Sequence, residues 1–287
     1  MSDFFVKFWG TVGGMAGGNF DRPVGRVCYD TPCVEVFFNG TSYLLDAGSG
    51  FTRFCSAGKP KNPVGGVFFS HYHLDHICGL WLLGDGLWDK SFGRMRLVGP
   101  RIAGQTVDDV LHALMREPIS PGPITWAKVK EELSPDITVV MHTGSVWYDG
   151  VCTATFVPVV HGAGESYSIR LSFKGGPTVV YATDVDFGAS KEKLVELCQG
   201  ADFLIADCEY TNREYYNRTS PRPHSGPEVV VQVAEAAGVK HLTLFHHPYR
   251  TDSEDRKMME RLSEAARFAR TFDFRVDLAR DKGILVL

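Results

Sequence analysis

The sequence predicts an α/β fold, because short apolar runs typical of β-strands recur along the chain and segments of helical periodicity lie between groups of them. Glycine, proline and asparagine separate many of these runs. We expect strands at residues 33–38, 43–46, 67–69, 95–98, 138–141, 152–160, 167–173, 178–181, 203–206, 241–245 and 283–287.

Amphipathic helices are expected where apolar residues recur every three or four positions. The segments with this pattern are residues 106–115, 191–197, 228–237 and 254–270. The third is bounded by Pro227, which suits a first helical turn, and by Gly238, which suits a helix C-terminus. In the fourth, one face is expected to carry Met258, Leu262, Ala265, Ala266 and Ala269.

Residues 116–137 interrupt this alternation with several prolines around a short helix expected at residues 126–133. We interpret this segment as an insertion on the substrate side of the fold. The chain shows no internal repeat and no composition shift that marks a boundary. Residues 1–287 are therefore expected to form a single domain.

The composition limits the classes of function. The chain has 287 residues, 44% of them hydrophobic, which is enough to bury a large core. Its formal net charge of −4 provides no attraction to long nucleic acids or to anionic membranes. We therefore expect a small-molecule substrate, with neither a long nucleic acid nor a membrane as partner.

The chain also carries signals of its compartment. Its first ten residues lack the basic segment, apolar core and cleavage site of a secretory signal, and no run is long enough to span a membrane. The seven cysteines are an odd number and include no CxxC pair, which favours free thiols in a reducing compartment. These observations predict a cytoplasmic protein.

The strongest functional signal is the stretch Ser-His-Tyr-His-Leu-Asp-His at residues 70–76. It follows the strand expected at 67–69, with the glycines at 65–66 taken as the stop before that strand. Imidazole and carboxylate ligands suit zinc, iron or manganese, and the absence of paired cysteines argues against a closed structural zinc site. A polar loop without a cation is the alternative, and it is disfavoured by four candidate ligands so close together. The four candidate ligands are His71, His73, Asp75 and His76, and they suit a catalytic site with two metals.

Further ligands must come from elsewhere in the chain. His161, Asp184 and His246 each follow an apolar run directly. Residues at strand ends can converge on one site, so these three are candidates, although a single histidine after a strand is more often a hydrogen-bonded loop residue.

In this order, the candidate ligands and their neighbours resemble the metallo-β-lactamase-fold hydrolases. The motifs that carry the likeness are residues 70–76, 161–162, 183–184 and 245–248. Residues 203–211, 224–228 and 237–248 are similar to late motifs of the ribonuclease Z-like phosphodiesterase group. Residues 8–11 and 31–36 are similar to bacterial members that are cyclic-nucleotide-phosphodiesterase-like.

The resemblance implies a four-layer αββα sandwich and a metal centre of two divalent ions, with zinc as the first expectation and manganese or iron as alternatives. It implies that His71, His73 and His161 hold one metal, that Asp75, His76 and His246 hold the other, and that Asp184 bridges them. Of the neighbours His246 and His247, only one can face the site, and the family's last ligand matches His246. The resemblance also suggests a homodimer.

The resemblance further implies a general acid. His224 paired with Asp207 matches the histidine and acidic residue that protonate the leaving oxygen in the ribonuclease Z-like branch. The pairing is chemically reasonable, because a carboxylate orients an imidazole and raises its pKa. A surface histidine in a proline-rich loop is the alternative for His224.

Some positions depart from the family pattern and affect the expected substrate. Residues 12–15 replace an Arg-Gly-Ser segment, the region around residues 29–31 replaces a Gly-Gly-Asn-Thr stretch, and Ala206 stands where the ribonuclease branch has histidine. A long basic arm of the kind that ribonuclease Z uses to hold tRNA is missing from the sequence.

The function predicted from the sequence is metal-dependent hydrolysis of a small phosphodiester such as a cyclic nucleotide. A hydroxide held between the metals would attack phosphorus, Asp75 would help to orient it, and His224 would protonate the leaving group. Hydrolysis of a carboxylic ester, lactone or thioester is the alternative within the enzyme class. A metal-binding sensor without activity is the alternative outside that class.

Overall fold

The computed structural model describes residues 3–14, 30–57, 62–86, 88, 90–120, 124–141, 145–219, 223–248, 252–269 and 274–286. The chain divides into two compact units. The first unit comprises Met1–Met141 and Arg280–Leu287, and the second comprises His142–Ala279. Sequence features at Met15, Cys28, Tyr29 and residues 121–123 lie outside the described residues.

The described elements alternate between strands and helices along the chain. The strands are β1 (Phe4–Gly10), β2 (Cys33–Phe38), β3 (Thr41–Leu45), β4 (Val64–Phe68), β5 (Arg96–Pro100), β6 (Asp136–Val140), β7 (Ser145–Tyr148), β8 (Cys152–His161), β9 (Gly164–Phe173), β10 (Thr178–Ala182), β11 (Phe203–Asp207), β12 (His241–Phe245), β13 (Arg275–Leu278) and β14 (Ile284–Leu285). The helices are α1 (Ser49–Ser56), α2 (Leu74–Ile77), α3 (Val107–Leu114), α4 (Trp126–Leu133), α5 (Lys191–Cys198), α6 (Asn212–Tyr216), α7 (Pro227–Ala236) and α8 (Asp252–Phe268), with 3₁₀ segments at Cys78–Asp85 and Lys90–Phe92.

The first unit contains a seven-stranded mixed sheet in the order β14-β1-β2-β3-β4-β5-β6. Strands β3 to β6 are parallel to one another, and β14, β1, β2 and β3 pair antiparallel. Its core packs α1, α3 and α4 with the 3₁₀ segments, through side chains such as Phe51, Leu80 and Trp126. The carboxyl ends of parallel strands are the usual position of functional side chains in such sheets.

The second unit contains another seven-stranded sheet, in the order β13-β12-β11-β10-β9-β8-β7. Strands β10 to β13 are parallel, whereas β7, β8, β9 and β10 pair antiparallel. Parallel neighbours need a crossover connection, and the segments that join β10 to β11, β11 to β12 and β12 to β13 contain α5, α6 with α7, and α8.

The predicted elements are all present, with small shifts of their bounds, so the α/β character expected from the sequence is confirmed at this level. The short helix at 126–133 is α4, and Trp126 is fully buried in the core of the first unit. The position of residues 116–137 on the substrate side, and the single domain, stay predictions. Elements that the pattern did not indicate are β1, β7, β13, α1, α2 and α6.

Two expectations about local structure are wrong. Gly65 and Gly66 do not stop a strand but lie inside β4, because their missing side chains leave room for the rings of Tyr43 and Phe68. In α8, Ala266 is exposed and Arg261 is buried with 1% of its surface exposed. The buried face of α8 therefore includes a guanidinium that hydropathy assigns to solvent.

The described cysteines confirm the expected thiol state. Free thiols are found at Cys33, Cys55, Cys78, Cys152, Cys198 and Cys208. Burial raises the pKa of Cys198 to about 12, so this thiol stays protonated and unreactive at neutral pH. In the part of the chain that the structure describes, no helix is long and apolar enough to cross a membrane.

The close approach of Gly65 to Tyr43 leads to a stability prediction. A Cβ at Gly65 would overlap the Tyr43 ring, so Gly65→Ala should lower the free energy of unfolding by about 1–3 kcal/mol. The control is Gly164→Ala, because a Cβ there meets only the His161 carbonyl oxygen at 3.5 Å. Urea denaturation compares the two variants, and equal stability of both would contradict the packing argument.

Candidate metal centre

The histidine-rich stretch of the first unit begins where β4 ends. Residues 69–73 belong to no helix or strand, and the chain then enters α2, which has His73 at its N-cap position. Asp75 and His76 are therefore on a helical turn. The turn brings both side chains to the same region as His71, whose ring centroid lies 4.3 Å from that of His76 and 4.4 Å from that of His73.

A buried carboxylate, Asp46, holds this stretch in place. Asp46 follows β3, has a φ of 58° and is fully buried. It accepts hydrogen bonds from the backbone N–H of Ser70 at 2.8 Å and from the Ser70 hydroxyl at 2.7 Å. Its Oδ2 also lies 2.7 Å from Nδ1 of His76. Asp46 was not predicted as a site residue, because in the sequence it stands out only as the last residue of a predicted strand.

These contacts determine which nitrogen of each imidazole carries hydrogen. The Ser70 hydroxyl donates to Asp46 and therefore accepts from Nδ1 of His71, which lies 3.0 Å away. Nδ1 of His76 donates to Asp46 itself. When these rings are neutral, Nε2 keeps its lone pair, which is what a metal-ligating histidine requires.

The remaining two candidates of the first unit are less buried. His73 is exposed, and its ligand nitrogen lies within 4.8 Å of that of His71. Asp75 has 14% of its side chain exposed, lies 3.4 Å from Nε2 of His76 and accepts from the Gly14 N–H at 2.8 Å. The four predicted ligands of this stretch are thus brought together within the first unit.

Small residues allow the loop after β3 to pack against the turn that carries His76. The Ala47 N–H donates to the His76 carbonyl at 2.8 Å, and the Gly79 N–H donates to the Ala47 carbonyl at 3.0 Å. A Cβ on Gly48 would overlap the carbonyl of Asp75. Glycine is therefore required at position 48 by the close approach of two backbones.

In the second unit, candidate residues lie at the ends of four strands. His161 is the last residue of β8, Asp184 comes two residues after β10, Asp207 ends β11, and His246 follows β12. Because β10, β11 and β12 are parallel neighbours, their carboxyl ends meet at one edge of the sheet. Asp184 and His246 have φ values of 50° and 58°, which turn their side chains away from the strand direction.

Asp184 lies between two imidazoles. Its Oδ1 is 3.4 Å from Nε2 of His161, and its Oδ2 is 3.0 Å from Nε2 of His246. All three side chains are buried. Nδ1 of His161 lies 3.4 Å from the Pro223 carbonyl oxygen and Nδ1 of His246 lies 3.5 Å from Oε2 of Glu209. If these nitrogens carry the hydrogens of neutral rings, lone pairs of Nε2 face carboxylate oxygens, and a bound cation would offset their repulsion.

His224 and Asp207 form the pair that the sequence predicted. Nδ1 of His224 is 2.8 Å from Oδ2 of Asp207, whose carboxylate also accepts from the backbone N–H groups of Asp184 at 2.9 Å and Ser225 at 3.1 Å. The His224 ring stacks on that of His246 with centroids 5.0 Å apart. His224 is therefore not a surface residue; it is buried beside a candidate ligand.

Charge and burial act in opposite directions on His224. Burial lowers the pKa of its imidazole, but the charge and hydrogen bond of Asp207 and the charge of Glu209 outweigh burial. The pKa is therefore raised above its ordinary value.

Glu209 is a further residue of this cluster that the sequence analysis missed. Its Oε2 lies 3.1 Å from Nε2 of His224 as well as 3.5 Å from Nδ1 of His246. Burial raises the pKa of its carboxyl, but the hydrogen bond of His246 and the charges of the two imidazoles outweigh burial. The pKa of Glu209 is therefore lowered below its ordinary value. The only signal in the sequence was its place two residues after Asp207.

His246 and His247 have different partners in the structure. Nε2 of His247 lies 2.9 Å from the carbonyl oxygen of Ala279 and donates to it. His246 faces Asp184 instead. His247 thus contributes to packing, since it ties the end of β12 to the residue after β13.

The nitrogen and oxygen donors fit divalent metals. In each unit, buried imidazoles have one nitrogen directed at a protein acceptor and the other at further candidate ligands. Within the second unit, ligand atoms of Asp184, His224 and His246 all lie within 4.8 Å of one another. Imidazole and carboxylate donors suit zinc, manganese or iron.

A comparison with known families identifies the family of this chain. The model described as "Beta-lactamase superfamily domain" matches residues 41–247. The chain is 26% identical over 215 residues to the probable metallo-hydrolase YhfI of Bacillus subtilis, and the alignment covers 72% of this chain and 76% of that protein. It is 24% identical over 248 residues to ribonuclease Z of Lachnoclostridium phytofermentans, with 73% and 79% covered.

Another relative is an uncharacterized protein of Mycobacterium leprae, ML1173, with 28% identity over 207 residues. The alignment covers 66% of this chain and 61% of that protein, so the chain spans less than two thirds of this relative.

Solved structures show the same fold. The metallo-β-lactamase-fold protein YhfI of Bacillus subtilis matches with a TM-score of 0.66 and 19% identity, over 99% of this chain and all of that one. Unliganded yeast PDE1 matches with a TM-score of 0.72 and 13% identity over the full length of both chains. Together with the family model, these structures confirm the predicted metallo-β-lactamase fold. The ribonuclease Z relative confirms the predicted resemblance to the ribonuclease Z-like group.

The role of Asp46 can be tested through metal affinity. In Asp46→Asn, the amide has one acceptor oxygen where the carboxylate has two, so it cannot accept all three hydrogen bonds from Ser70 and His76. The ligands then lose their orientation, and metal affinity should fall about 10–100-fold. Competition with a chromophoric chelator measures this change. Asp3→Asn is the matched control, because Asp3 is exposed. Unchanged affinity in the Asp46 variant would contradict the orienting role.

Proposed function

The chain belongs to the beta-lactamase superfamily and has the donor set of a metal-dependent hydrolase, and from this premise we propose that it cleaves small phosphodiesters. The observation that carries the proposal is the buried pair of His224 and Asp207, which lies beside the candidate ligands Asp184 and His246. A protonated imidazole in this place can supply the proton that an alkoxide leaving group needs.

The proposed metal centre combines the ligands of both clusters, as the resemblance implies. One ion would be held by His71, His73 and His161, the other by Asp75, His76 and His246, with Asp184 shared. The donor chemistry suits zinc first, and manganese or iron as alternatives. When bound, such ions polarise the phosphoryl group and lower the pKa of water. The orientation of His71 and His76 by Asp46 and Ser70 supports their assignment.

His224 would act as the general acid through Nε2. Its Nδ1 is bound to Asp207, which leaves the hydrogen on Nε2 for the leaving oxygen. The charges of Asp207 and Glu209 raise the pKa of His224 above its ordinary value, which favours the protonated ring. Asp207 holds the ring by accepting a hydrogen bond from Nδ1 of His224. The same carboxylate accepts from the backbone N–H of Asp184 and so ties the ring to that residue. Asp75 would help to orient the attacking water.

The relatives support a phosphodiester over other esters. One relative is named ribonuclease Z, and an RNA phosphodiester is the bond that a ribonuclease cleaves. The net charge of −4 disfavours a long polyanion, because such binding rests on neutralised phosphates. A small phosphodiester such as a cyclic nucleotide is therefore the proposed substrate.

The proposal includes a cellular setting. The free thiols of the described cysteines suit a reducing compartment such as the cytoplasm. A homodimer is proposed on the resemblance to the ribonuclease Z-like group.

Metal removal tests the proposed centre directly. The purified protein should contain close to two divalent ions per chain and should hydrolyse bis(p-nitrophenyl) phosphate; chelation should abolish turnover and returned metal should restore it. Elemental analysis and the release of nitrophenolate measure both effects. Two metals without phosphodiester turnover would favour a carboxylic ester, lactone or thioester, and absence of metal would refute the centre.

The role of His224 can be tested with leaving groups of different pKa. His224→Ala should lower turnover of an alkyl phosphodiester by about 10²–10⁴-fold, and that of bis(p-nitrophenyl) phosphate much less, because nitrophenolate leaves without a proton. His112→Ala, at an exposed position of α3, is the control. Equal losses with both substrates would show that His224 is not the acid.

A further inference from the structure

The arrangement around Glu209 bears on which phosphodiester is cleaved, and the inference rests on the proposed function. We propose that Glu209 is a specificity-determining residue that selects phosphodiesters whose leaving oxygen has a hydroxyl group beside it. The vicinal hydroxyl of a ribose next to a leaving 3′-oxygen has this chemistry.

The two oxygens of the Glu209 carboxylate have different surroundings. Oε2 lies 3.1 Å from Nε2 of His224 and 3.5 Å from Nδ1 of His246. Among the residues that the structure describes, none donates a hydrogen bond to Oε1. The side chain is 22% exposed, so a ligand can reach it. Glu209 therefore offers an acceptor next to the proton donor of the proposed reaction.

The backbone of Glu209 is fixed. Its carbonyl oxygen accepts from Nη1 of the buried Arg261 on α8 at 3.0 Å, and its N–H lies 3.4 Å from Oδ1 of Asp207. This hydrogen bond explains why the guanidinium of Arg261 lies on the buried face of α8. A residue held in this way can recognise a ligand group without first being ordered.

Substrate binding changes the hydrogen bonds of the carboxylate. Nδ1 of His224 is bound to Asp207, so the single hydrogen on Nε2 must serve the leaving oxygen. In the structure, Nε2 lies 3.1 Å from Oε2 of Glu209. When a leaving oxygen accepts the hydrogen of Nε2, the Glu209 carboxylate loses the attraction of that group, and a largely buried carboxylate without compensation is unfavourable.

A leaving group that brings its own donor compensates for this loss. A hydroxyl beside the leaving oxygen can donate to Glu209 while the leaving oxygen accepts from His224. A leaving group without a hydroxyl leaves the carboxylate short of one hydrogen bond. A second anionic group at this place would be repelled by the carboxylate. Discrimination of about 10–100-fold in kcat/KM is expected from one such hydrogen bond.

Glu209 could instead act only by orienting His246, as a carboxylate behind a metal-ligating imidazole does. Such a role would change metal content and turnover of all substrates alike. It would not change the ratio between two substrates that differ only in the hydroxyl. The ratio therefore separates recognition of the leaving group from support of the metal ligand.

The test compares adenosine 3′,5′-cyclic monophosphate with its 2′-deoxy analogue on the metal-loaded wild-type protein, with bis(p-nitrophenyl) phosphate as reference. The wild type should cleave the ribonucleotide about 10–100-fold more efficiently, with the 3′-oxygen as leaving group. Glu209→Met, which removes the acceptor at similar length, should bring this ratio close to one. Glu209→Ala provides a second variant, and metal content is measured for each.

The control is Glu192→Met, the same change at an exposed position of α5, which should keep the wild-type ratio. Three outcomes with turnover of the reference diester would overturn the assignment of Glu209 and leave the proposed function standing. The wild type could show no preference for the ribonucleotide, the Glu209 variants could keep the wild-type ratio of ribonucleotide to deoxyribonucleotide cleavage, or neither nucleotide could be cleaved. Absence of turnover with every phosphodiester, in a protein that holds its metals, would overturn both.

Discussion

The buried carboxylate of Asp46 is the contact on which the candidate ligands of the first unit depend. It lies at the carboxyl end of β3 and accepts hydrogen bonds from Ser70 and His76, the latter through Nδ1 at 2.7 Å. The Ser70 hydroxyl extends the same chain of hydrogen bonds to His71. One carboxylate thereby orients two imidazoles, and its burial is tolerated because its oxygens accept hydrogen bonds.

Asp207 has the corresponding place in the second unit. It ends β11, and its carboxylate binds the imidazole of His224 and the backbone N–H groups of Asp184 and Ser225. The Ser225 hydroxyl in turn donates to the Val185 carbonyl at 2.6 Å. The loops after β10 and before α7 are therefore joined through one strand end. In each unit, a carboxylate behind the histidines decides which ring nitrogen is available for chemistry.

Much of the fold could be predicted from local patterns, and the failures have physical causes. The helix α4 has the predicted bounds, because its pattern of apolar residues agrees with its burial. The face of α8 was predicted with Ala266, yet Arg261 is buried there because it donates to the Glu209 carbonyl, which is distant in sequence. Gly65 was interpreted as a stop, whereas its lack of a side chain makes room for Tyr43. Such contacts between distant segments have no local signal.

The sequence by itself determined a candidate donor set, since His71, His73, Asp75 and His76 are neighbours in the chain and their chemistry follows from residue type. It also determined the pairing of His224 with Asp207, through a family motif. Only the tertiary structure decided that Asp46 orients His76 and that Glu209 faces both His224 and His246. The physical reason is that hydrogen-bond partners at the ends of parallel strands are adjacent across the sheet edge and far apart along the chain.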